Sequence, residues 1–245
     1  MRPLQDLDTP LTREIPPVPN RTYMNKRKVR ILCLHGFRGN TTVMEYQLSG
    51  IRKAFEESPY DLDLVRINAP HTARGEPSSD ILLNFGRECT YHEWFSYDFL
   101  GASYGGLEAS MQFLNEYIAT HGPFNAILGF SQGATMATLL TMRMIKACGE
   151  DPSLYRWHAL ILVCGVDPSL AYRPRKGSID FPSLHIAGAL DLVYWRSTVL
   201  FGFFKDDTTR RNWIQHAQGH QFPTPFYHKV YKEILEAMVK ILGIK

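Results

Sequence analysis

Gly-x-Ser-x-Gly occurs twice in this chain, as Gly101-Ala102-Ser103-Tyr104-Gly105 and as Gly129-Phe130-Ser131-Gln132-Gly133. The pattern is that of a nucleophile elbow, a sharp turn that lifts a serine hydroxyl above a sheet edge for attack on a carbonyl. One domain needs one such serine, and the flanks choose it. An elbow requires a strand running in and a helix running out, whose N-terminal dipole faces the negative charge that develops. Ser131 has both: "NAILGF" leads in and "QGATMATLLTMRMIKACG" leaves, with small Gly133 and Ala134 where backbones must approach closely. Ser103 follows "SYDFL" in an irregular stretch and has no clear strand of its own.

A serine hydroxyl is a weak nucleophile until a base takes its proton, and an acid must hold that base in the right tautomer. For this architecture the partners follow in the order serine, acid, histidine. Asp191 ends the apolar run "PSLHIAGAL", at the same sheet edge as the elbow. Asp167 in "VCGVDPS" is the alternative acid, although an Asp before Pro-Ser reads equally as a turn former. Of nine histidines, His220 in "HAQGHQFP" sits on a glycine-containing loop before the closing helix, and His216 is the alternative on that loop. His35 belongs to the turn after the first strand, where backbone amides can serve as oxyanion donors. No His/Cys/Asp spacing matches a zinc or two-metal site, so neither metal nor cofactor is expected.

The elements that must carry these residues alternate. "VRILCLHGF" is a buried strand ending in a turn, and Met44, Leu48, Ile51 and Phe55 then recur at helical spacing. "LDLVRINAP" is a second strand, "GLEASMQFLNEYIATHG" a helix closing at Gly122, and "FNAILGF" the strand before Ser131. "HALILVCGV" and "PSLHIAGAL" are continuously apolar, as strands covered on both faces are. Tyr227, Tyr231, Ile234, Met238 and Ile241 stripe a final helix. The expected fold class is α/β, a mostly parallel sheet covered by helices on both faces, in one domain over residues 28–245 preceded by an extended, proline-rich arm over residues 1–27.

Composition narrows the function. The 27 basic and 24 acidic residues are spread along the chain, and the cluster Lys26-Arg27-Lys28 with Arg30 reads as a solvated strand end, so no nucleic-acid partner is expected. No apolar stretch is long enough for a membrane span, and the N-terminus lacks the continuous apolar region of a secretory signal. The four cysteines lie far apart without Cys-x-x-Cys, which reads as reduced thiols in a cytoplasmic protein. Residues 71–104 fit neither helical nor strand period and crowd Tyr91, Trp94, Phe95, Tyr97, Phe99 and Tyr104 together. Long loops of this kind are commonly functional, and Trp94 and Phe95 are expected to wall an apolar acyl pocket beside Ser131.

With these residues in place the chain resembles a known family. "LCLHGFRGN", "INAPH", "EWF", "GLEASMQFLNEYIATHGPFNAILGFSQGA", "PSLHIAGALD" and "HAQGHQFP" occur in the order and spacing of the FSH-type serine hydrolases, small eukaryotic α/β-hydrolases. The resemblance spans roughly residues 29–240. It implies Ser131 as nucleophile, His220 as base, Asp191 as acid, and the backbone N–H groups of Phe37 and Gln132 as the oxyanion hole. It also implies a small-molecule acyl ester or thioester as substrate. Two departures bear on loop shape: Gln218-Gly219 stands where the family often has two glycines, and Val193-Tyr194 where it often has Val-Pro. An amidase or peptidase with the same triad, and a binding protein on the same scaffold, are the alternatives.

Overall fold

In the computed structural model the described residues are 26–97, 104–149, 151–168 and 172–244. The proposed arm, apart from its last two residues, and the serine at 103 lie outside them. β1 (Arg27–Leu34) and β2 (Tyr60–Ile67) enclose α1 (Thr41–Gln47) and α2 (Ser49–Glu56). The single helical period of the sequence is therefore two helices that meet at Leu48, with Met44, Leu48, Ile51 and Phe55 buried in one cluster. The irregular stretch holds the two-residue strands β3 (His71–Thr72), β4 (His92–Glu93), β5 (Ser96–Tyr97) and β6 (Tyr104–Gly105), and between the first two a short helix, α3 (Ser79–Phe85).

Regular alternation then resumes with α4 (Leu107–His121), β7 (Ala126–Phe130), α5 (Gln132–Cys148), β8 (Ala159–Val163), β9 (Ser183–Gly188), α6 (Tyr194–Phe203), β10 (Arg211–His216) and α7 (His228–Ile241). α6 and β10 were not legible as elements in the sequence. β10, "RNWIQH", is an edge strand with a polar, partly exposed pattern, unlike the continuous apolar runs of β7 and β8.

Six strands form one parallel sheet in the order β10-β9-β8-β7-β1-β2. Every residue of β7 and β8 is buried, because helices cover both faces. Successive side chains point to opposite faces and divide the core. Leu32, Leu34, Ile127, Leu160 and Leu162 pack with residues of α4, α5 and α6, whereas Ile31, Cys33, Leu128 and Ile161 pack with residues of α1, α2 and α7. The chain runs outward from β1 to β2 and then returns to β7 on the other side of β1. This reversal is a topological switch point, where open α/β sheets bind ligands at the carboxyl ends of their strands. The ends of β1 and β7 there carry Phe37 and Ser131. Among the described residues, no helix is long and apolar enough to cross a membrane.

Candidate active site

Ser131 sits between the end of β7 and the start of α5 with φ 51° and ψ −113°, a left-handed backbone conformation that is strained for any residue but glycine. Two glycines make that turn possible. A Cβ on Gly129 would lie 2.4 Å from the carbonyl oxygen of Gly133, and a Cβ on Gly133 would lie 2.2 Å from that of Leu34. The turn is held from both sides: the Ser131 N–H donates to the Val163 carbonyl at 2.9 Å, and the Ser131 carbonyl accepts from the N–H groups of Ala134 and Thr135.

From this position the Ser131 Oγ lies 2.8 Å from His220 Nε2, and His220 Nδ1 lies 2.6 Å from Asp191 Oδ2. The loop after β10 delivers the histidine and the turn after β9 delivers the acid. Asp191 is nearly inaccessible, its side chain 1% exposed, and its other oxygen accepts the Val193 N–H at 2.8 Å. With Asp191 facing Nδ1, the imidazole is oriented with a proton on Nδ1, leaving Nε2 to face Oγ as an acceptor. The alternative acid, Asp167, is engaged elsewhere, receiving Arg196 Nε at 2.7 Å. His216 is buried, its Nδ1 accepts the Gln218 N–H at 3.3 Å, and burial holds its pKa below the usual histidine value.

The N–H groups of Phe37 and Gln132 have no hydrogen-bond partner among the described residues. Gln132 contributes a second feature that the sequence did not reveal. Its buried side-chain amide accepts the Trp94 N–H at 2.9 Å and donates to the Phe95 carbonyl at 2.8 Å, stapling that segment to the elbow. The Trp94 indole donates to the His35 carbonyl at 2.9 Å, and Ser110 donates to the Trp94 carbonyl. His35 itself is structural. Its Nε2 accepts the Ala69 N–H, so its proton is on Nδ1, donating to the Gly36 carbonyl, and burial pushes its pKa down to about 4.

Trp94 and Phe95 are both 0% exposed and belong to the core, which corrects the expectation that they wall a pocket. Their bulk stabilises the floor beneath the site, and hydrogen bonds to the elbow hold them there. Of the other rings in that segment, Tyr91 and Tyr104 are also buried, Tyr97 meets Phe37 edge-on, and the phenylalanine at 99 lies outside the described residues. The cleft that opens at Ser131 and His220, about 900 Å³ in volume, has a different wall. Its lining mixes the rings of Phe37, Tyr46, Phe85, Phe130, Phe222 and Phe226 with polar side chains, among them Arg38, Gln47, Glu76, Asp80 and Asn84. Arg38, at φ 54°, shapes one side by donating to the carbonyls of Arg74 and Glu76 at 2.8 and 2.7 Å, so that it clamps the segment leading to α3. Hydrophobic periodicity carries no signal for such a clamp.

One further side chain reaches the site. Cys164, at the end of β8 with φ 45°, is fully buried and donates from Sγ to the Gln221 carbonyl at 3.3 Å. Its sulfur, a carboxylate oxygen of Asp191 and a ring nitrogen of His220 all lie within 4.8 Å of one another, the one group of potential metal donors among the described residues. Burial first, and then the neighbouring carboxylate, push its thiol up to about 12.

A family model described as serine hydrolase (FSH1) matches residues 24–230. The chain belongs to the serine hydrolase (FSH1) family. This serine hydrolase is 30% identical over 216 residues to Esterase CG5412 of Drosophila melanogaster, covering 82% of this chain and 71% of that protein. It is 29% identical over 222 residues to Esterase OVCA2 of Homo sapiens, covering 81% and 91% respectively. To Rhodanese-like domain-containing protein 6 of Arabidopsis thaliana it is 29% identical over 228 residues, 81% of this chain, but it spans only 37% of that longer protein. Among solved structures, esterase PE8 superposes with a TM-score of 0.59 at 22% identity over 86% of this chain and 93% of its own, which establishes the shared α/β-hydrolase fold.

Proposed function

We propose that this serine hydrolase cleaves carboxylic esters or thioesters of apolar acyl groups through an acyl-enzyme, with Ser131 as nucleophile, His220 as general base and Asp191 as the acid that orients it. The observation that carries the reading is the continuous relay from Ser131 Oγ to His220 Nε2 at 2.8 Å and from His220 Nδ1 to Asp191 Oδ2 at 2.6 Å, opening into the cleft. In this reading the serine attacks the carbonyl carbon as its proton passes to Nε2, and buried Asp191 stabilises the imidazolium that forms. The oxyanion is received by the N–H groups of Phe37 and Gln132, reinforced by the N-terminus of α5. Collapse of the tetrahedral intermediate returns the proton from Nε2 to the departing alcohol or thiol. Water then enters, gives its proton to the same nitrogen, and releases the acid.

The phenylalanine rings of the cleft, set among polar side chains, support an apolar acyl chain, since each buried methylene contributes up to about 0.8 kcal/mol. Four free cysteines fit a reducing compartment such as the cytosol. The test is a kinetic panel of p-nitrophenyl esters, acyl thioesters and peptides on the purified protein. The expected result is turnover of esters and thioesters, not of peptides, with kcat reduced at least about 10³-fold in Ser131→Ala. Peptide cleavage without ester cleavage would refute the reading.

A further inference from the structure

We infer that Cys164, Asp191 and His220 form an inhibitory binding site for a thiophilic divalent cation, with Zn²⁺ as the probe, which disarms the base by capturing its Nδ1. The inference rests on the catalytic reading for its effect on activity, but the site itself is a matter of donor chemistry. A thiol, a carboxylate and an imidazole from three separate strand ends converge within 4.8 Å, and these are three of the donor types that zinc takes. Three protein donors with a fourth position left for water form a familiar zinc arrangement, and thiolate favours zinc and cadmium over hard cations.

Donors that now lie within 4.8 Å of one another must settle at the spacing of zinc. With zinc bonds of about 2.0–2.3 Å, tetrahedral donors lie roughly 3.3–3.6 Å apart. His220 Nδ1 and Asp191 Oδ2, now 2.6 Å apart, would open by less than about 1 Å, while the sulfur gives up its bond to the Gln221 carbonyl and closes on them. His220 is the accessible member, its side chain 35% exposed, so the cation reaches the buried pair from the histidine side.

The charges and protons balance. At rest the group holds one carboxylate anion, one neutral thiol, and one neutral imidazole with its proton on Nδ1. The cation bonds to sulfur, to a carboxylate oxygen and to Nδ1. The thiol proton leaves to solvent, and the imidazole keeps one proton, now on Nε2. Two negative ligands offset the two charges of the metal, so the buried site becomes neutral overall, whereas a cation with only one anionic partner would remain uncompensated. The consequence for catalysis follows from the tautomer. Nε2, occupied by a proton, can no longer accept one from Ser131 Oγ, and the enzyme is inhibited with its nucleophile intact.

The experiment uses the full chain in two readouts. Zn²⁺ is titrated against ester hydrolysis in the parent and in Cys164→Ser. Separately, Co²⁺ is added to Ser131→Ala, and cobalt–thiolate charge-transfer absorption is followed with and without the additional Cys164→Ser change. The expected result is inhibition by Zn²⁺ that a chelator reverses, and a Cys164→Ser half-inhibitory concentration raised at least about tenfold. Loss even of an outer partner costs a metal site that much. The thiolate band should form in Ser131→Ala, vanish with Cys164→Ser, and be unaffected by Cys89→Ser or Cys148→Ser. If Cys164→Ser does not fold, Cys164→Ala serves in both readouts. Equal zinc sensitivity of parent and Cys164 variant, absence of the band at saturating Co²⁺, or a band without inhibition of an active enzyme would overturn the inference. A band in a protein that hydrolyses no ester would instead refute the catalytic reading and leave the metal site standing.

Discussion

The relocation of the acyl wall from Trp94 to the cleft beyond Phe222 predicts opposite behaviour for two aromatic truncations. Phe85, on α3, lines the cleft and meets Tyr46 edge-on at 5.8 Å. A decanoyl chain running along it would lose cover for about two methylenes when the ring is removed, roughly 1.6 kcal/mol or a factor of about 15 in kcat/KM, while an acetyl ester stays within about twofold. Trp94 is fully buried and does not line the cleft. Its truncation opens a cavity in the core, costing about 3–5 kcal/mol of folding stability, and leaves the buried His35 carbonyl without the indole donor, about 1 kcal/mol more. Because Trp94 and Gln132 share a hydrogen bond beneath the elbow, whatever activity Trp94→Ala loses should fall equally on all chain lengths. The assay is a p-nitrophenyl series from acetyl to dodecanoyl on Phe85→Ala and Trp94→Ala, with urea midpoints measured in parallel. A selective loss of long esters in Trp94→Ala, or a uniform loss in Phe85→Ala, would refute the assignment of the wall.

Three further outcomes are expected. Asp191→Asn should cost on the order of 10³–10⁴-fold in kcat, whereas Asp167→Asn, which loses only its ion pair with Arg196, should keep most of its activity; the reverse order would move the acid to Asp167. His35 and His185, held neutral by burial with pKa values pushed down to about 4 and about 3, bind fewer protons folded than unfolded. Stability should therefore fall as pH drops from the unfolded histidine value of about 6.5 towards those values, by about 2 kcal/mol per histidine at pH 5, and pH-independent urea midpoints between pH 7 and 5 would contradict this. Gly133→Ala places a methyl group against the Leu34 carbonyl and should destabilise the fold by about 1–3 kcal/mol or more, with loss of activity; a variant as stable and active as the parent would show that the elbow relaxes freely.

The parts of the site legible in the sequence are those whose physics is local. The elbow announces itself because its glycines stand where any Cβ would strike backbone, and a buried strand must precede it. The sheet was legible where covering on both faces made β7 and β8 continuously apolar. β10 lacked that signature because it lies at the edge, and α3 was hidden in a stretch with neither period. What stayed illegible depends on side chains meeting across long separations in the chain. Gln132 looks like any helix N-terminal residue until its amide is seen holding Trp94 and Phe95, and Arg38 looks like a loop arginine until it is seen on the carbonyls of Arg74 and Glu76. Aromatic crowding around Trp94 signalled burial, which a core and a pocket share, and composition does not distinguish them. Cys164 is one of four widely spaced cysteines with no motif to mark it, and only the structure shows its buried sulfur beside the acid and the base.

Ser131 as the single activated nucleophile is the centre of the account, and covalent labelling tests it most directly. A fluorophosphonate probe reacts only with a serine whose proton a base can remove, whatever the natural substrate. Intact-mass and peptide-level spectrometry should find one adduct per chain, on the peptide containing Ser131, absent from Ser131→Ala and strongly reduced in His220→Ala, while Ser103→Ala labels like the parent. Labelling that survives Ser131→Ala, or that maps to Ser103, would contradict the account.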